Sequence, residues 1–328
     1  MTKQLRILIS RTDAIGDVCL TLPACQALQV AYPAASLTYL CKAYTKEVVA
    51  CFEPITHILT LEELEIASTA QRNELLGNFD IVIHLFPNKA VAQWCKAANI
   101  PKRIGTAHRL FHLFTCNFRP RFTRKRSDLH EAQLNFKLLA PLGIHTIPSL
   151  DQMNRHLAFL PHETHGFSEF NKEDQIILLH PKSNGSGVEY PIEKYIELAE
   201  ILAQQGYWIY FTGTDKEGAL FRKQLPSHPR IKDVTGLWDL KTFISVISKS
   251  KALVACSTGP YHLAGLSGIK AIGLFAQRKP IHPGRWAALG RQAQVLTSTG
   301  FCTVCAAGKA CHCIEEISLE AIIYALEK

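Results

Sequence analysis

Short apolar runs of strand length alternate with helix-type patterns along most of the chain, and this alternation restricts the fold more than any other feature of the sequence. In the first half, the strand patterns and the two clearest helix patterns cover residues 5–10, 18–30, 36–40, 55–59, 80–85, 103–105 and 129–140. A helical crossover joins parallel strands, and the helices then cover both faces of the sheet. The pattern therefore predicts an α/β fold built from doubly wound parallel sheets.

A polar stretch at residues 161–174 interrupts the alternation, and we interpret it as an interdomain linker. The alternation restarts at residue 175 and continues to residue 275. A chain of 328 residues is long enough for two hydrophobic cores. We therefore expect an N-terminal domain over residues 1–165 and a C-terminal domain over residues 166–328, with ligands bound in a cleft between the carboxyl edges of the two sheets.

The composition excludes several classes of protein. With 47% hydrophobic and 20% charged residues, the chain is neither disordered nor collagen-like. No apolar run approaches the roughly 18 residues that a membrane span requires, and the first residues lack the features of a signal peptide. We therefore expect a cytoplasmic protein. Seven cysteines stand singly in apolar segments and are expected to be buried, reduced thiols: Cys19, Cys25, Cys41, Cys51, Cys95, Cys116 and Cys256.

The turn at residues 11–18 follows the first predicted strand and lies at the carboxyl edge of the predicted sheet. It lacks the G-x-G-x-x-G pattern of dinucleotide-binding proteins, and the chain lacks a P-loop sequence. Gly16 allows a ligand to approach the main chain closely. Asp17 is a candidate base for a sugar hydroxyl, and Asp13 is a second candidate in the same turn. The alternative is that either aspartate only caps the following helix.

Two polar turns in the second half have the composition of phosphate-binding sites. The first, at residues 180–191, combines the ammonium group of Lys182 with the side chains of Ser183, Asn184 and Ser186 and with exposed glycine N–H groups. In the second, Ser257, Thr258, Gly259, Pro260 and His262 open a predicted helix, whose N–H groups and dipole favour a pyrophosphate. The alternatives are an ordinary polar loop, a helix cap and a structural histidine.

The net charge of +8 is concentrated in residues 102–127, which contain eight Lys or Arg and no Asp or Glu, interleaved with four phenylalanines. Such a patch indicates an anionic partner. We favour the anionic inner face of a membrane, contacted from the cytoplasm, with Arg103 and Arg109 as contacts for an anionic acceptor. Nucleic acid is disfavoured because no nucleic-acid motif accompanies the patch, and a solvated surface is the remaining alternative.

Four further cysteines, Cys302, Cys305, Cys311 and Cys313, are enough for a tetrahedral zinc site. The C-x-C spacing of the last two is tight for two ligands of one metal. A structural zinc or another soft-metal site, reduced structural cysteines, and a redox or disulfide role are the alternatives.

Several of these segments, in this order, resemble glycosyltransferase family 9, the heptosyltransferases of lipopolysaccharide core assembly. The similar segments are ILISRTDAIGDVCLTLPACQAL at residues 7–28, HEAQLNFKLLAPLGI at 130–144, EYP at 189–191 and STGPYHLAGLSG at 257–268. The resemblance implies a GT-B fold of two Rossmann-like domains facing each other across a cleft. It also implies that Asp17 is the general base, that the 257–262 turn surrounds the donor phosphates, and that Glu217 lies near the donor ribose.

The family resemblance further implies an inverting, metal-independent transferase with no cofactor in catalysis. ADP-heptose is the first expected donor, and a lipopolysaccharide-core or similar anionic glycolipid is the expected acceptor. Two positions differ from the family pattern, because Val188 replaces a lysine and Ser257 an aspartate; Lys182, Lys279 or Arg285 could supply the missing positive charge. A nucleotide-sugar epimerase and a non-catalytic sugar-nucleotide-binding protein are the alternative functions.

Overall fold

The computed structural model describes residues 4–124, 127–163, 175–300, 302–309 and 311–328. The chain divides into two compact units, Met1–Leu160 and Pro161–Lys328. Residues 161–163 of the expected linker belong to the second unit. The rest of that linker, with the expected boundary between residues 165 and 166, lies outside the described residues.

The first unit is built around a parallel sheet. Its strands are β1 (Arg6–Ser10), β2 (Ser36–Cys41), β3 (His57–Thr60), β4 (Ile81–His84) and β5 (Lys102–Ile104), in the spatial order β3-β2-β1-β4-β5. Its helices are α1 (Ile15–Cys19), α2 (Leu22–Ala31), α3 (Lys46–Ala50), α4 (Leu61–Ile66), α5 (Thr69–Gly77), α6 (Lys89–Ala97), α7 (Leu110–Thr115), α8 (Glu131–Phe136) and α9 (Leu150–Arg155), with 3-10 helices at Ala43–Thr45 and Lys137–Leu142.

Strand β1 lies in the middle of this sheet. Ile7 pairs with Leu37 of β2 on one side and with Ile81 of β4 on the other. Ile7, Leu8 and Ile9 are completely buried. A strand covered on both faces gains from apolar residues at every position, which explains its unbroken apolar sequence.

The second unit contains a larger parallel sheet. Its strands are β6 (Ile176–His180), β7 (Trp208–Phe211), β8 (Ile231–Asp233), β9 (Ala252–Cys256), β10 (Lys270–Phe275) and β11 (Ala293–Thr297), in the spatial order β11-β10-β9-β6-β7-β8. Its helices are α10 (Ile192–Gln204), α11 (Asp215–Gly218), α12 (Leu240–Lys249), α13 (Gly259–Leu266), α14 (Pro283–Trp286), α15 (Thr303–Ala306) and α16 (Leu319–Glu327), with 3-10 helices at Arg222–Gln224 and Cys313–Glu316.

Helix α13 packs closely in the second unit. A Cβ atom added to Gly265 would lie 2.3 Å from the carbonyl oxygen of Leu289. Only glycine leaves room for this approach, so the helix that carries one candidate phosphate site is fixed against the body of its unit.

The predicted α/β fold with doubly wound parallel sheets is confirmed, but several predicted elements are wrong in their extent. The helix expected over residues 18–30 is two helices, since α1 ends at Cys19 and α2 starts at Leu22 with Pro23 in its first turn. The helix expected over residues 129–140 is α8 followed by the 3-10 helix that contains Pro141. The edge strand β11 was not predicted.

In each sheet the order of strands reverses once, between β1 and β4 in the first unit and between β6 and β9 in the second. Ligands of open parallel sheets bind beyond the carboxyl ends of the strands at such a reversal. The turn after β1 and the turns after β6 and β9 are the ones that carry the candidate residues of the sequence. Within the part of the chain described here, no helix is both long and apolar enough to cross a membrane.

Candidate functional site

The first candidate site is organised by Arg11, the residue directly after β1. Its main-chain N–H donates to the carbonyl of Leu40 at 3.0 Å, and its side chain is only 3% exposed. Nε donates to Oδ1 of Asp13 at 2.9 Å, and Nη2 donates to Oδ1 of Asp17. The buried guanidinium therefore holds both candidate carboxylates of the turn.

The other side of the Arg11 guanidinium faces helix α8. Nη1 donates to Oε1 of Glu131 and to Oδ1 of Asn135, both at 3.2 Å. Nε of Arg124 donates to the same Glu131 oxygen at 2.9 Å. Burial opposes the charge on Arg11, but the carboxylates of Asp13, Asp17 and Glu131 outweigh it and raise the pKa of Arg11.

When all these groups are ionised, the two guanidinium groups of Arg11 and Arg124 face three carboxylates, which leaves one negative charge in excess. This excess acts on Asp17. Burial, together with the charges of Asp13 and Glu131, raises the pKa of Asp17 to about 6, while Arg11 opposes the shift. The side chain of Asp17 is 23% exposed, so a ligand in solution can reach this carboxylate.

The capping interpretation of Asp13 and Asp17 is wrong. The N-cap residue of α1 is Ala14, which makes no side-chain cap hydrogen bond. Asp17 is the third residue of α1. The N–H of Leu20 donates to the carbonyl of Gly16, the second residue of the helix. The two carboxylates are oriented by Arg11 rather than by the main chain of the helix.

Sequence reasoning missed Arg11, Glu131 and Asn135. A charged residue at the end of an apolar central strand was the available signal for Arg11. Glu131 and Asn135 are four residues apart on α8 and therefore share one helix face, but their contact with Arg11 depends on the tertiary fold.

The structure places the two predicted acceptor contacts away from these hydrogen bonds. Nε of Arg103 donates to the carbonyl of Thr115 at 2.8 Å, and Nη1 donates to the carbonyl of Ile100. Arg109 is the N-cap residue of α7 and is exposed. Arg103 thus ties β5 to α7, whereas Arg109 lies on the surface.

The second candidate site is in the second unit, where the loop after β6 is organised by Glu189. Its Oε2 pairs with the ammonium of Lys182 at 2.9 Å, and its Oε1 accepts the N–H of Ser183 at 2.9 Å. Burial alone would raise the pKa of Glu189, but the hydrogen bonds from Lys182 and Ser183 outweigh it and lower that pKa. The ammonium group of Lys182, which was predicted to bind phosphate, is therefore paired with the carboxylate of Glu189. Sequence reasoning did not identify Glu189.

The same loop contacts the turn after β9. Oγ of Ser186 donates to the carbonyl of Ser257 at 2.9 Å, and a Cβ added to Gly187 would lie 3.2 Å from Cβ and O of Ser257. At the tip, Asn184 and Gly185 have φ values of +47° and +78°, a conformation that asparagine and glycine tolerate best. The structure brings the two predicted phosphate turns together.

Thr258 is the N-cap residue of α13 but makes no side-chain cap hydrogen bond, so the capping interpretation of this turn is wrong. Its Oγ1 is buried and has no hydrogen-bond partner within the described chain. The first turn of a helix leaves main-chain N–H groups without intrahelical acceptors, and here no side chain of the cap satisfies them. Pro260 contributes no N–H, and His262 is buried within α13.

Glu217, the predicted ribose contact, is part of a capping box. Its Oε2 accepts the N–H and the hydroxyl of Thr214 at 2.7 and 2.9 Å, while its own N–H donates to Oγ1 of Thr214. The other carboxylate oxygen accepts no hydrogen bond from the described residues. Nearby at the end of β6, burial lowers the pKa of His180 to about 4, so this imidazole is neutral at pH 7.

The two positions that differ from the family pattern, Val188 and Ser257, lie in these loops. Val188 is partly buried against the hydrophobic core of the second unit, which a lysine side chain could not match. Ser257 is 9% exposed and contributes its carbonyl to the contact with Ser186. Lys279 and Arg285 follow β10, and the guanidinium of Arg285 lies 5.2 Å from the ring of Trp286.

The cysteines fall into two groups. The seven single cysteines are buried and free, as predicted. The sulfur atoms of Cys302, Cys305, Cys311 and Cys313 all lie within 4.8 Å of one another and could hold a metal ion. The tight C-x-C spacing of Cys311 and Cys313 thus does not keep either sulfur out of the cluster.

Comparison with known proteins shows which proteins this chain is similar to. A family model described as glycosyltransferase family 9 (heptosyltransferase) matches residues 69–312. The lipopolysaccharide core heptosyltransferase OpsX of Haemophilus influenzae is 22% identical over 295 residues, which cover 83% of this chain and 79% of that protein.

Two solved structures share the fold over nearly their whole length. A family 9 glycosyltransferase from Veillonella parvula is 21% identical, with a TM-score of 0.78 and coverage of 100% of this chain and 98% of that one. The Escherichia coli heptosyltransferase WaaC with ADP is 16% identical, with a TM-score of 0.74 and coverage of 98% and 99%. At these identities the likeness establishes a fold with two Rossmann-like domains of the GT-B type.

Proposed function

Because the chain belongs to glycosyltransferase family 9, we propose that it transfers a sugar, heptose by family resemblance, from a nucleoside diphosphate donor to a lipopolysaccharide-core or similar glycan. The single observation that carries this proposal is the Asp17 carboxylate, which Arg11 holds at the carboxyl edge of the first sheet with a pKa of about 6. A base with a pKa close to neutral combines ionisation at pH 7 with a useful affinity for protons.

In the proposed reaction, Asp17 accepts the proton of an acceptor hydroxyl. The acceptor oxygen forms a bond to the anomeric carbon, the bond from that carbon to the diphosphate oxygen breaks, and the nucleoside diphosphate leaves with the electron pair. Attack opposite the leaving group inverts the anomeric configuration. Asp13 and Gly16 lie in the same turn as Asp17 and would contact the acceptor.

The second unit is the proposed donor-binding unit. The N-terminus of α13 at Thr258 and Gly259 offers main-chain N–H groups and the positive end of a helix dipole to the diphosphate. The buried Thr258 hydroxyl, which has no partner among the described residues, adds a donor. Ser183, Asn184 and Ser186 surround the diphosphate. The ammonium group of Lys182 leaves its ion pair with Glu189 and pairs with a phosphate instead. Ser257, Pro260 and His262 shape the turn. The carboxylate oxygen of Glu217 that takes no part in the capping box accepts a hydrogen bond from a ribose hydroxyl.

We propose that this chemistry requires no metal ion, because main-chain N–H groups and a helix dipole supply the stabilisation of the leaving diphosphate. The sequence contains no D-x-D pattern that would hold a divalent cation beside the donor. The solved heptosyltransferase WaaC is described with ADP, which makes ADP-heptose the first donor to test.

The test is transfer from ADP-heptose to a truncated lipopolysaccharide-core acceptor by the full chain. Asp17→Asn is expected to lower kcat by about 100-fold or more, the usual contribution of a general base. The matched control is Asp151→Asn, an exposed carboxylate on α9 that pairs with Arg155 and is expected to leave kcat unchanged.

Three outcomes would contradict the proposal. Conversion of the donor without any acceptor would indicate an epimerase, and donor binding without turnover in both parent and variant would indicate a non-catalytic binding protein. An Asp17→Asn variant as active as its parent would remove Asp17 from the mechanism.

We also propose that the surface around α7 contacts the anionic inner face of a membrane, where a glycolipid acceptor would be presented, and that nucleic acid is not a partner. Leu110 and Phe114 are 74% and 69% exposed, beside the exposed Arg109. Apolar side chains enter the interfacial region while cations meet anionic headgroups. Of the basic segment, Lys125 and Arg126 lie outside the described residues.

Sedimentation with vesicles tests the membrane contact. The parent is expected to bind phosphatidylglycerol vesicles more strongly than phosphatidylcholine vesicles, and Phe114→Ser is expected to weaken that binding. Leu220→Ser, which changes a residue of the second unit that is 65% exposed, serves as the control. Equal binding to both vesicle types, or an undiminished Phe114→Ser variant, would refute this surface.

A further inference from the structure

Four thiols converge in the second unit between β11 and α16, and none of them belongs to the turns that carry the proposed chemistry. The sulfur of Cys302 lies 3.2 Å from that of Cys311, and the sulfur of Cys305 lies 3.3 Å from that of Cys313. All four sulfurs lie within 4.8 Å of one another. A disulfide bond measures about 2.05 Å, so these are four separate thiols around one point.

The main chain already donates to two of these sulfurs. The N–H of Cys305 donates to Sγ of Cys302 at 3.4 Å, and the N–H of Cys313 donates to Sγ of Cys311 at 3.3 Å. Metal ions bind the thiolate rather than the thiol, and an N–H donor stabilises sulfur that carries negative charge. In both pairs, Cys302 with Cys305 and Cys311 with Cys313, the sulfur of the first cysteine therefore accepts the main-chain N–H of the second.

The ligand set consists of sulfur alone. His312 lies between the last two cysteines in sequence, but its side chain is 91% exposed and its Nδ1 pairs with Glu315 at 2.6 Å. Four thiolates at a tetrahedral centre are the ligands of structural zinc sites. A zinc–sulfur bond of about 2.3 Å separates tetrahedral sulfurs by about 3.8 Å, which falls between the 3.2 Å of the closest pair and the 4.8 Å limit of the cluster.

We propose that Cys302, Cys305, Cys311 and Cys313 bind one zinc ion that stabilises the fold of the second unit. Binding releases the four thiol protons to solvent and leaves zinc with four thiolates, with no change in oxidation state. Four protein ligands leave no open coordination position, so the site is structural and lies outside the transfer reaction.

The position of the cluster explains why a metal is useful there. Cys305 and Cys313 are buried in the same hydrophobic cluster as Tyr190 and Ile317. Tyr190 donates its hydroxyl to the carbonyl of Ile317 at 2.6 Å, and Lys194 donates to the carbonyl of Glu315 at 2.5 Å. A metal that fixes the cysteine segment therefore also fixes the start of α10, next to the loop that Glu189 organises.

Metal analysis of the full chain tests the proposal. Protein purified in reducing buffer without added metal is expected to contain about one zinc per chain by plasma mass spectrometry. Cys302→Ser and Cys311→Ser, at the two partly exposed positions, are each expected to lose most of this zinc. Cys116→Ser, at a single buried cysteine of the first unit, is expected to retain it.

A second measurement keeps the test independent of how well the variants fold. Cobalt(II) added to metal-depleted parent protein is expected to give the thiolate-to-cobalt charge-transfer absorption of a tetrahedral sulfur site, and zinc is expected to displace it. Thiol titration after denaturation in chelator is expected to find all 11 cysteines.

Other results would overturn the assignment. Metal-free protein with 11 titratable thiols would mean reduced structural cysteines, whereas the loss of four of these thiols would mean two disulfides. Iron in place of zinc would refute the identity of the metal. None of these readouts depends on glycosyl transfer, so the zinc proposal and the proposed function can fail separately.

Discussion

At the scale of single residues, the candidate base is a carboxylate kept in an environment that disfavours its charge. Arg11 fixes the position of Asp17, but three carboxylates share the two neighbouring guanidinium groups. Because Asp17 is largely buried and lies beside the charges of Asp13 and Glu131, it is ionised less readily than an exposed aspartate, and its pKa is higher. The same electrostatic cause has one consequence for rate and another for stability.

The rate consequence is a pH profile. We expect kcat/KM to fall on the acid side with a midpoint at about pH 6, because Asp17 must be ionised to accept a proton. Asp13→Asn removes one of the charges that raise the pKa of Asp17, so the midpoint is expected to move to lower pH. Asp151→Asn should leave it in place. A parent midpoint near pH 4, or no shift in Asp13→Asn, would contradict this explanation.

The effect of pH on stability through Asp17 is opposite in sign to that of most aspartates in folded proteins. The folded chain holds the Asp17 proton to about pH 6, whereas the unfolded chain releases it near the ordinary pKa of about 4. Stability therefore falls as pH rises through this interval, by up to about 3 kcal/mol.

We therefore expect Asp17→Asn to be more stable than its parent at pH 8 and no more stable at pH 3.5. Urea unfolding at the two pH values measures the difference, with Asp151→Asn as the reference variant. A variant that is less stable than the parent at pH 8 would show that the ion pair with Arg11 outweighs the cost of burial.

At the scale of secondary-structure elements, the proposed donor site depends on the contact between two turns. Gly187 approaches Ser257 so closely that an added Cβ would lie 3.2 Å from its Cβ and O atoms. A side chain at residue 187 would therefore crowd the contact between the loop after β6 and the N-terminus of α13, and one of the two turns would have to move.

Gly187→Val is therefore expected to separate the two turns and to raise the donor KM several-fold. Gly77→Ala is the control, since its Cβ would meet only an ordinary contact at 3.5 Å. Steady-state kinetics with varied donor measure the effect. An unchanged donor KM would show that the contact between the turns has no part in binding.

The elements also show what the sequence can predict. The turn after β1 and the turn after β9 were identifiable because a polar run follows an unbroken apolar strand. The capping box of α11 was equally predictable, because T-x-x-E before a helix is its signature. The family resemblance instead implied that Glu217 contacts the ribose. Pro23 lies in the first turn of α2, and Pro141 lies in the 3-10 helix that follows α8; these prolines were the signals that the two predicted helices are interrupted.

At the scale of the whole chain, contacts between distant segments limited what could be predicted. Arg11 and Glu131 are 120 residues apart in sequence, and no local pattern relates them. The same holds for Glu189, whose role depends on how its loop turns back on Lys182 and Ser183. The four cysteines were predictable as a group because their spacing is short, but the convergence of all four required coordinates.

Buried histidines in both units couple the stability of the chain to pH. Burial lowers the pKa of His84 to about 3 and that of His180 to about 4, whereas both take up protons near pH 6.5 in the unfolded chain. Stability is therefore expected to decrease as pH falls below about 6.5, and the two histidines together outweigh the smaller gain from Asp17.

His84→Phe is expected to reduce this loss, since it removes one buried ring that cannot be protonated without cost. His57→Phe, at an exposed position, is the control and should behave like the parent. Thermal unfolding from pH 7.5 to 4.5 measures both variants. An acid-side loss in His84→Phe as large as in the parent would assign the effect to other groups.

In both units the residues that would meet substrate stand on turns that leave the ends of strands, while the sheets are held together by apolar runs behind them. Substitutions at the exposed positions of those turns leave the apolar strands unchanged. Lineages that carry this fold are therefore free to acquire new sugars or new acceptors one turn at a time, and Val188 and Ser257 are the kind of change by which such a divergence would start.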